Sequence, residues 1–219
     1  MGSFDAVIFD MDGVIFDSER GCLICWSELA KKYDLPDIEN SFLKCTGTTD
    51  AKTREIMLEV YGTDFPYDSF AKEASLLFHE KYDGGRLPVK KGTRELLSFL
   101  KEKKVPIALA SSTRRESVTK ELSEASLLSF FDVLICGDMV KKSKPDPDIY
   151  LRACQELGIH PTKAFAIEDS FNGIRSAHAG GLRPLMVVDL LPPDEEMKGL
   201  AEKIFSDLLE VKDYLAGEM

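Results

Sequence analysis

Three aspartates, Asp10, Asp12 and Asp17, follow directly on an apolar run from Ala6 to Phe9. Two carboxylates separated by one residue can act as nucleophile, as general acid and as ligands of a divalent cation, because a turn lets both point into one pocket. Gly13 supplies the backbone freedom that such a turn needs. A second acidic pair, Glu168-Asp169, closes another apolar run, Ala164 to Ile167, and is followed by Ser170. Acids from two neighbouring strand ends would together make a hard oxygen site of the Mg²⁺ type. Between the two pairs lie Ala110-Ser111-Ser112-Thr113 with Arg114-Arg115 after them, and Lys144 before Pro145 and Pro147. Hydroxyls and backbone amides that open a helix can hold a phosphate, although a Ser-Ser-Thr run is also an ordinary N-cap. Prolines stiffen the Lys144 segment, and an ammonium among carboxylates can keep one ionised and shield an incoming phosphate dianion from it. Lys144 also reads as one of a surface run with Lys141 and Lys142.

Positioning these groups requires rigid platforms. A run apolar at every position reads as a strand covered on both faces, and strand C-terminal ends are where open α/β sheets bind ligands. Apolar residues at three-and-four spacing predict a helix over 18–33, ended by Pro36, and two more over 50–61 and 69–82. No strand is expected between Gly13 and Arg86, a separation too long for a plain βα connection. From residue 86 onward, strands over 106–110, 133–136, 164–167 and 184–188 alternate with helices over 93–103, 114–125, 147–157, 171–179 and 207–215. The expected class is α/β, a Rossmann-like parallel sheet with helices on both faces. A small all-helical cap is inserted after the first strand. Residues 1–16 and 86–219 form the core and residues 17–85 the cap, with hinges at 14–17 and 83–86.

The totals narrow the function classes. The chain has 219 residues, a formal net charge of −10 and a hydrophobic share of 44%, with a pI near 4.9. This is ordinary globular composition. The excess of acid argues against nucleic acid and against anionic membrane, both of which need clustered Lys and Arg. No stretch approaches the roughly 20 apolar residues of a membrane span, and the expected location is the cytoplasm. Five cysteines and no basic-then-apolar leader fit free thiols in a reducing compartment. Cys22 and Cys25 form a CxxC pair with no second ligand pair, which reads as two semi-buried thiols one helical turn apart. Neither GxGxxG nor GxxxxGK(S/T) occurs, so nucleotide-binding loops have no support.

Taken in order, Asp10-Met-Asp12-Gly13-Val-Ile, the strand ending at Ser111, Lys144 before Pro145 and Glu168-Asp169 after a strand resemble the four motifs of the haloacid dehalogenase superfamily. The match spans Asp10 to Gly181. The cap, with Lys144-Pro-x-Pro-Asp-Ile-Tyr150 and Glu168-Asp-Ser-x-x-Gly-Ile174, is similar to the subgroup that contains β-phosphoglucomutase and many sugar-phosphate phosphatases. This resemblance implies Asp10 as nucleophile and Asp12 as general acid and base. Mg²⁺ would be held by Asp10, the Asp12 backbone carbonyl and Asp169, with Glu168 acting through water. Ser111, Ser112, Lys144 and Arg114 would bind the phosphate and substrate. Asp12 favours phosphate esters, since dehalogenating members lack it. Asp50 stands where the mutase carries a phosphate-binding Arg, and Cys22 where it carries a His. The expected activity is therefore Mg²⁺-dependent hydrolysis of small phosphorylated metabolites, sugar phosphates first, with a phosphosugar mutase as the alternative. A non-catalytic binding module that has kept the fold ranks last, since every charged motif position is present. A monomer or small homo-oligomer is expected. Candidates for contact with the leaving group are Glu19, Thr48, Thr49, Asp50 and Arg114.

Overall fold

The first strand, β1 (Ala6–Phe9), carries no polar side chain because both its faces are covered. Val7 and Phe9 point into one apolar cluster and Ile8 into another on the opposite face, as the two-residue period of a strand dictates. The computed structural model describes residues 4–48 and 50–219, so Thr49 lies outside the described residues. β1 is flanked in parallel by β2 (Ile107–Ser111) and β4 (Ala164–Glu168). β3 (Val133–Cys136), β5 (Arg183–Val187) and β6 (Lys203–Phe205) extend the sheet to the order β3-β2-β1-β4-β5-β6. The order reverses between β1 and β4, and the crevice at such a switch point is where doubly wound sheets bind ligands. Phe9 pairs with Ile167, so Asp10 and Glu168 emerge side by side there.

Four helices follow β1: α1 (Ser18–Tyr33), α2 (Ile38–Cys45), α3 (Asp50–Tyr61) and α4 (Tyr67–Tyr82). They enclose an apolar cluster of their own, built on Met57, Tyr67 and Phe70, with Trp26 edge-on to both Phe42 and Phe70 at 5.1 Å. On one face of the sheet, α5 (Thr93–Glu102), α6 (Arg115–Glu124) and α10 (Leu208–Gly217) bury Leu96, Leu122 and Val211. On the other, α7 (Asp148–Leu157) and α8 (Phe171–Ala179) bury Tyr150 and Ala177. A six-residue α9 (Glu195–Leu200) packs beside α8.

Most predicted elements agree within two residues, and the departures have local causes. Helix α1 stops at Asp34, which takes the left-handed conformation (φ 53°), two residues before Pro36. Helix α2 was not expected: its eight residues are crowded between Pro36 and Gly47, yet Ile38, Phe42 and Cys45 bury one stripe. Helix α9 and β6 are also additions, too short for periodicity to register. Strand β2 runs one residue past the expected end and takes in Ser111, opposite Cys136. The two passages between sheet and helical block are tied together: Phe16 bridges Val89, Asp17 N–H donates to Pro88 and Lys90 N–H to Ile15. Val14, Ile15 and Phe16, expected at a hinge, are wholly buried, whereas Gly84 and Gly85 are exposed with positive φ and donate to the Glu124 carboxylate. All five cysteines are free thiols. Among the described residues no helix is long and apolar enough to cross a membrane.

Candidate active site

The acidic loop after β1 is pinned by its apolar residues. Met11, Val14, Ile15 and Phe16 are buried, which leaves Asp10 and Asp12 to face a cavity of about 360 Å³ above the sheet. Gly13 is required on two counts. Its φ is +76°, and a Cβ there would lie 2.2 Å from Asp169 Oδ2.

Lys144 reaches into this cavity from the segment between β3 and α7. Its Nζ donates to Asp10 Oδ1 at 2.6 Å, to Glu168 Oε1 at 2.5 Å and to the Ala110 carbonyl at 3.0 Å. The ammonium also lies over the Tyr150 ring, 5.1 Å from its centroid. Burial works against the charge on Lys144, but the Asp10 and Glu168 carboxylates outweigh it and raise its pKa. Lys144 is therefore no surface lysine; its side chain is only 7% exposed.

Glu168 is fully buried and held by five donors. Lys144 and Tyr150 Oη (2.7 Å) bond Oε1, while the Asp169 and Ser170 amides and the Ser170 hydroxyl bond Oε2. Ser170 also caps α8 by accepting from Gly173 N–H, and a Cβ on Gly173 would fall 1.9 Å from Glu168 Cδ. The Glu-Asp-Ser-x-x-Gly spacing is thus a packing requirement around one carboxylate.

Asp12 is held separately, away from Lys144. Ser18 Oγ donates to its Oδ1 and Thr113 Oγ1 to its Oδ2, each at 2.8 Å. Both hydroxyl donors were missed as partners of Asp12 by sequence reasoning. Ser18 opens α1 and Thr113 follows β2, and only the fold brings them together. Tyr150 was visible in its motif but had no assigned role.

Asp10, Glu168 and Asp169 each place a carboxylate oxygen within 4.8 Å of the others, and all three are buried. Burial, then Glu168 and Asp12, push Asp10 well above the usual carboxylate range, with Lys144 working against the shift. Burial, then Glu168 and Asp10, do the same to Asp169. One ammonium does not balance three carboxylates at this separation, and hard oxygen donors with excess negative charge suit a Mg²⁺-type ion. The donor set therefore fits a divalent cation. Asp12's carboxylate is outside this cluster.

The remaining expected site residues divide. Ser112 lines the cavity, as do Glu19, Thr48 and Asp50. Ser111 is fully buried within β2, its Oγ accepting from Thr113 N–H, because the strand extends one residue further than its apolar run. Arg114 is exposed at the start of α6 and does not line the cavity. Cavity-lining residues without an expected role are Gly47, Ser143, Ser170 and Asn172, and Asn172 Nδ2 donates across to the Gly47 carbonyl.

Residues 7–187 match the family model described as haloacid dehalogenase-like hydrolase. The chain belongs to that family. This hydrolase is 34% identical over 182 residues to the phosphorylated carbohydrates phosphatase of Thermotoga maritima, covering 81% of this chain and 82% of that protein. It is 30% identical over 202 residues to the β-phosphoglucomutase of Bacillus subtilis, covering 85% and 88%. Among solved structures it is similar to a HAD family hydrolase from Deinococcus radiodurans with bound phosphate and sodium. That match has a TM-score of 0.82 and 27% identity, and covers 100% of this chain and 97% of the other. The Rossmann-like sheet with its helices is thus the family fold.

Proposed function

We propose that this chain is a Mg²⁺-dependent phosphatase of small phosphorylated metabolites, foremost sugar phosphates, working through an aspartyl-phosphate on Asp10. The observation that carries the reading is the separation of two carboxylates in one cavity. Asp10 is bonded to Lys144, while Asp12 is held 2.8 Å from two hydroxyls and remains outside the carboxylate cluster. The relative named as acting on phosphorylated carbohydrates supports the substrate class.

In the first half-reaction, an Asp10 carboxylate oxygen attacks phosphorus in line. The P–O bond to the alcohol breaks, and Asp12, as the acid, gives its proton to the departing oxygen. In the second half, Asp12 takes a proton from water, the water oxygen attacks phosphorus and the Asp10–phosphorus bond breaks, releasing inorganic phosphate. Ser18 and Thr113 fix Asp12 so that one carboxyl serves both steps. Lys144 holds phosphoryl oxygens and, with Glu168 behind it, keeps its ammonium aimed at Asp10. Ser112, which lines the cavity, would donate to the phosphoryl group. Asp10, Asp169 and the Asp12 backbone carbonyl would hold Mg²⁺, with Glu168 bracing the set. When bound, the ion supplies positive charge that lets a carboxylate approach a phosphate dianion.

The test is inorganic phosphate release from a panel of sugar, polyol and nucleoside monophosphates, with Mg²⁺ or with EDTA, beside Asp10→Asn. Release that requires both the metal and Asp10 is expected. Turnover indifferent to either would refute the mechanism. Conversion of β-glucose 1-phosphate to glucose 6-phosphate, followed by phosphorus NMR with a trace of bisphosphate, would replace it with the mutase reading.

A further inference from the structure

The cavity that holds Asp10 and Asp12 is also lined by residues of the helical block, Glu19 from α1, Asp50 from α3 and Thr48. Among the described residues, Lys144 is the sole basic side chain lining the cavity, and it belongs to the phosphate end. We propose, resting on the phosphatase reading above, that Glu19 and Asp50 select phosphomonoesters whose alcohol carries hydroxyl or amino groups and no second anionic group.

Asp50 is exposed at the start of α3, but one of its oxygens is held by a buried residue. The phenol of Tyr67, a residue only 4% exposed, donates to Asp50 Oδ1 at 2.9 Å and leaves Oδ2 to accept from a substrate hydroxyl or ammonium. Glu19 has no hydrogen-bond partner among the described residues, although it is half-buried beside Asp12. Its free carboxylate oxygens are available to accept from a substrate hydroxyl or ammonium. Arg175 and Lys44 line a neighbouring cavity of about 270 Å³. Arg175 is engaged by both Glu196 oxygens and by Asn172 Oδ1. Lys44 is exposed at the end of α2 and lines that neighbouring cavity but not the one that holds Asp10. A second phosphate or carboxylate on the substrate would be placed against the Asp50 carboxylate with no basic side chain but Lys144 lining the cavity among the described residues, and like-charge juxtaposition is a device of discrimination.

The experiment compares kcat/KM for matched esters, by phosphate release with Mg²⁺ at pH 7.5. The set is fructose 1-phosphate against fructose 1,6-bisphosphate, and glucose 6-phosphate against 6-phosphogluconate and glucosamine 6-phosphate. The esters with a second anion should fall at least ~10-fold below their neutral partners, and the amino sugar should equal or exceed glucose 6-phosphate. Asp50→Arg should move the monophosphate-to-bisphosphate ratio toward the bisphosphate by ~10-fold or more, and Asp50→Asn should move it part of the way, each variant's fold being checked by circular dichroism. A wild-type protein that handles bisphosphates as well as monophosphates overturns the inference, whatever the variants do, and leaves the phosphatase reading standing. A ratio that Asp50→Arg shifts by less than about twofold also overturns it. Silence toward every ester, including the activated p-nitrophenyl phosphate, removes the phosphatase reading and this inference with it.

Discussion

Replacing Lys144 by Met tests how the carboxylate cluster is held together. The side chain keeps its length and loses its charge, so Asp10 and Glu168 lose an ammonium at 2.6 and 2.5 Å while remaining 10% and 0% exposed. Removing one partner of a buried ion pair leaves an uncompensated charge, at a cost of about 3–5 kcal/mol. Here Asp10 loses its ion-pair partner, Glu168 loses the charged one of its five donors, and a third carboxylate, Asp169, lies within the same cluster. The expected loss in metal-free protein at pH 7 is at the upper end of that range, read as a shift in the urea midpoint with an unchanged slope. Two restorations should follow. Adding Mg²⁺ should recover part of the stability by supplying positive charge to the same oxygens, and Lys144→Met/Glu168→Gln should be more stable than Lys144→Met alone, because one of the buried charges left without a counter-ion is gone. The second contrast is a double-mutant cycle, so coupling of more than about 1 kcal/mol is required. Turnover should fall on the order of 10³-fold in Lys144→Met, comparable with the loss of a preorganised donor at a transition state. A loss of stability under about 1 kcal/mol, with additive single and double variants, would refute the account of Lys144 as the counter-charge of the cluster.

Other consequences are equally direct. Ser18→Ala and Thr113→Val each remove one of the hydrogen bonds that orient Asp12. Single variants should lower kcat by about 10-fold or more with KM little changed, and the double variant should approach Asp12→Asn; steady-state kinetics on one sugar phosphate decides this. Gly13→Ala, with φ +76° and its Cβ 2.2 Å from Asp169 Oδ2, should lose about 2 kcal/mol or more and bind Mg²⁺ more weakly, checked by thermal melting and calorimetric titration. Burial, then Asp12 and Asp83, push Glu121 on α6 up from 4.5 to about 7. A raised carboxyl pKa contributes stability that is fully present below pH 4.5 and is lost as pH rises through about 7. Glu121→Gln should therefore gain about 1–2 kcal/mol over wild type above pH 7 and nothing below pH 4.5, once partial exposure is discounted. Denaturation from pH 4.5 to 8 should show the two curves diverging upward, and parallel curves would contradict it.

The chain's local chemistry was legible where one segment carried a whole instruction. Ala6 to Phe9 and Ala164 to Ile167 are apolar without interruption because both faces of those strands are buried, and the acids that end them could only stand at the sheet's C-terminal edge. Lys144 was readable as a candidate from its prolines and Gly13 from its place in the acidic turn, whereas Gly173 stood only within a motif of the resemblance. Short elements were not: α2, α9 and β6 bury too few residues for a period to appear. The end of β2 was misplaced by one residue for a related reason, since a serine gives no apolar signal even when it pairs within a sheet and is fully buried, as Ser111 is.

What only the tertiary structure decided are the pairings between distant segments. Ser18 and Thr113 meet on Asp12 across 101 positions in one case, Lys144 reaches Asp10 across 134, and Tyr150 turns its hydroxyl to Glu168. Such contacts depend on which strands are neighbours and on their register, and register is a property of the assembled sheet. The sequence by itself determined that two pairs of acids and a lysine would gather at the end of a parallel sheet. The packing of β1 between β2 and β4 determined which acid takes the ammonium, which takes the hydroxyls and which is left for a cation. That division follows from distances of a few ångströms in a desolvated site, where the partner of each charge, more than its identity, sets its chemistry.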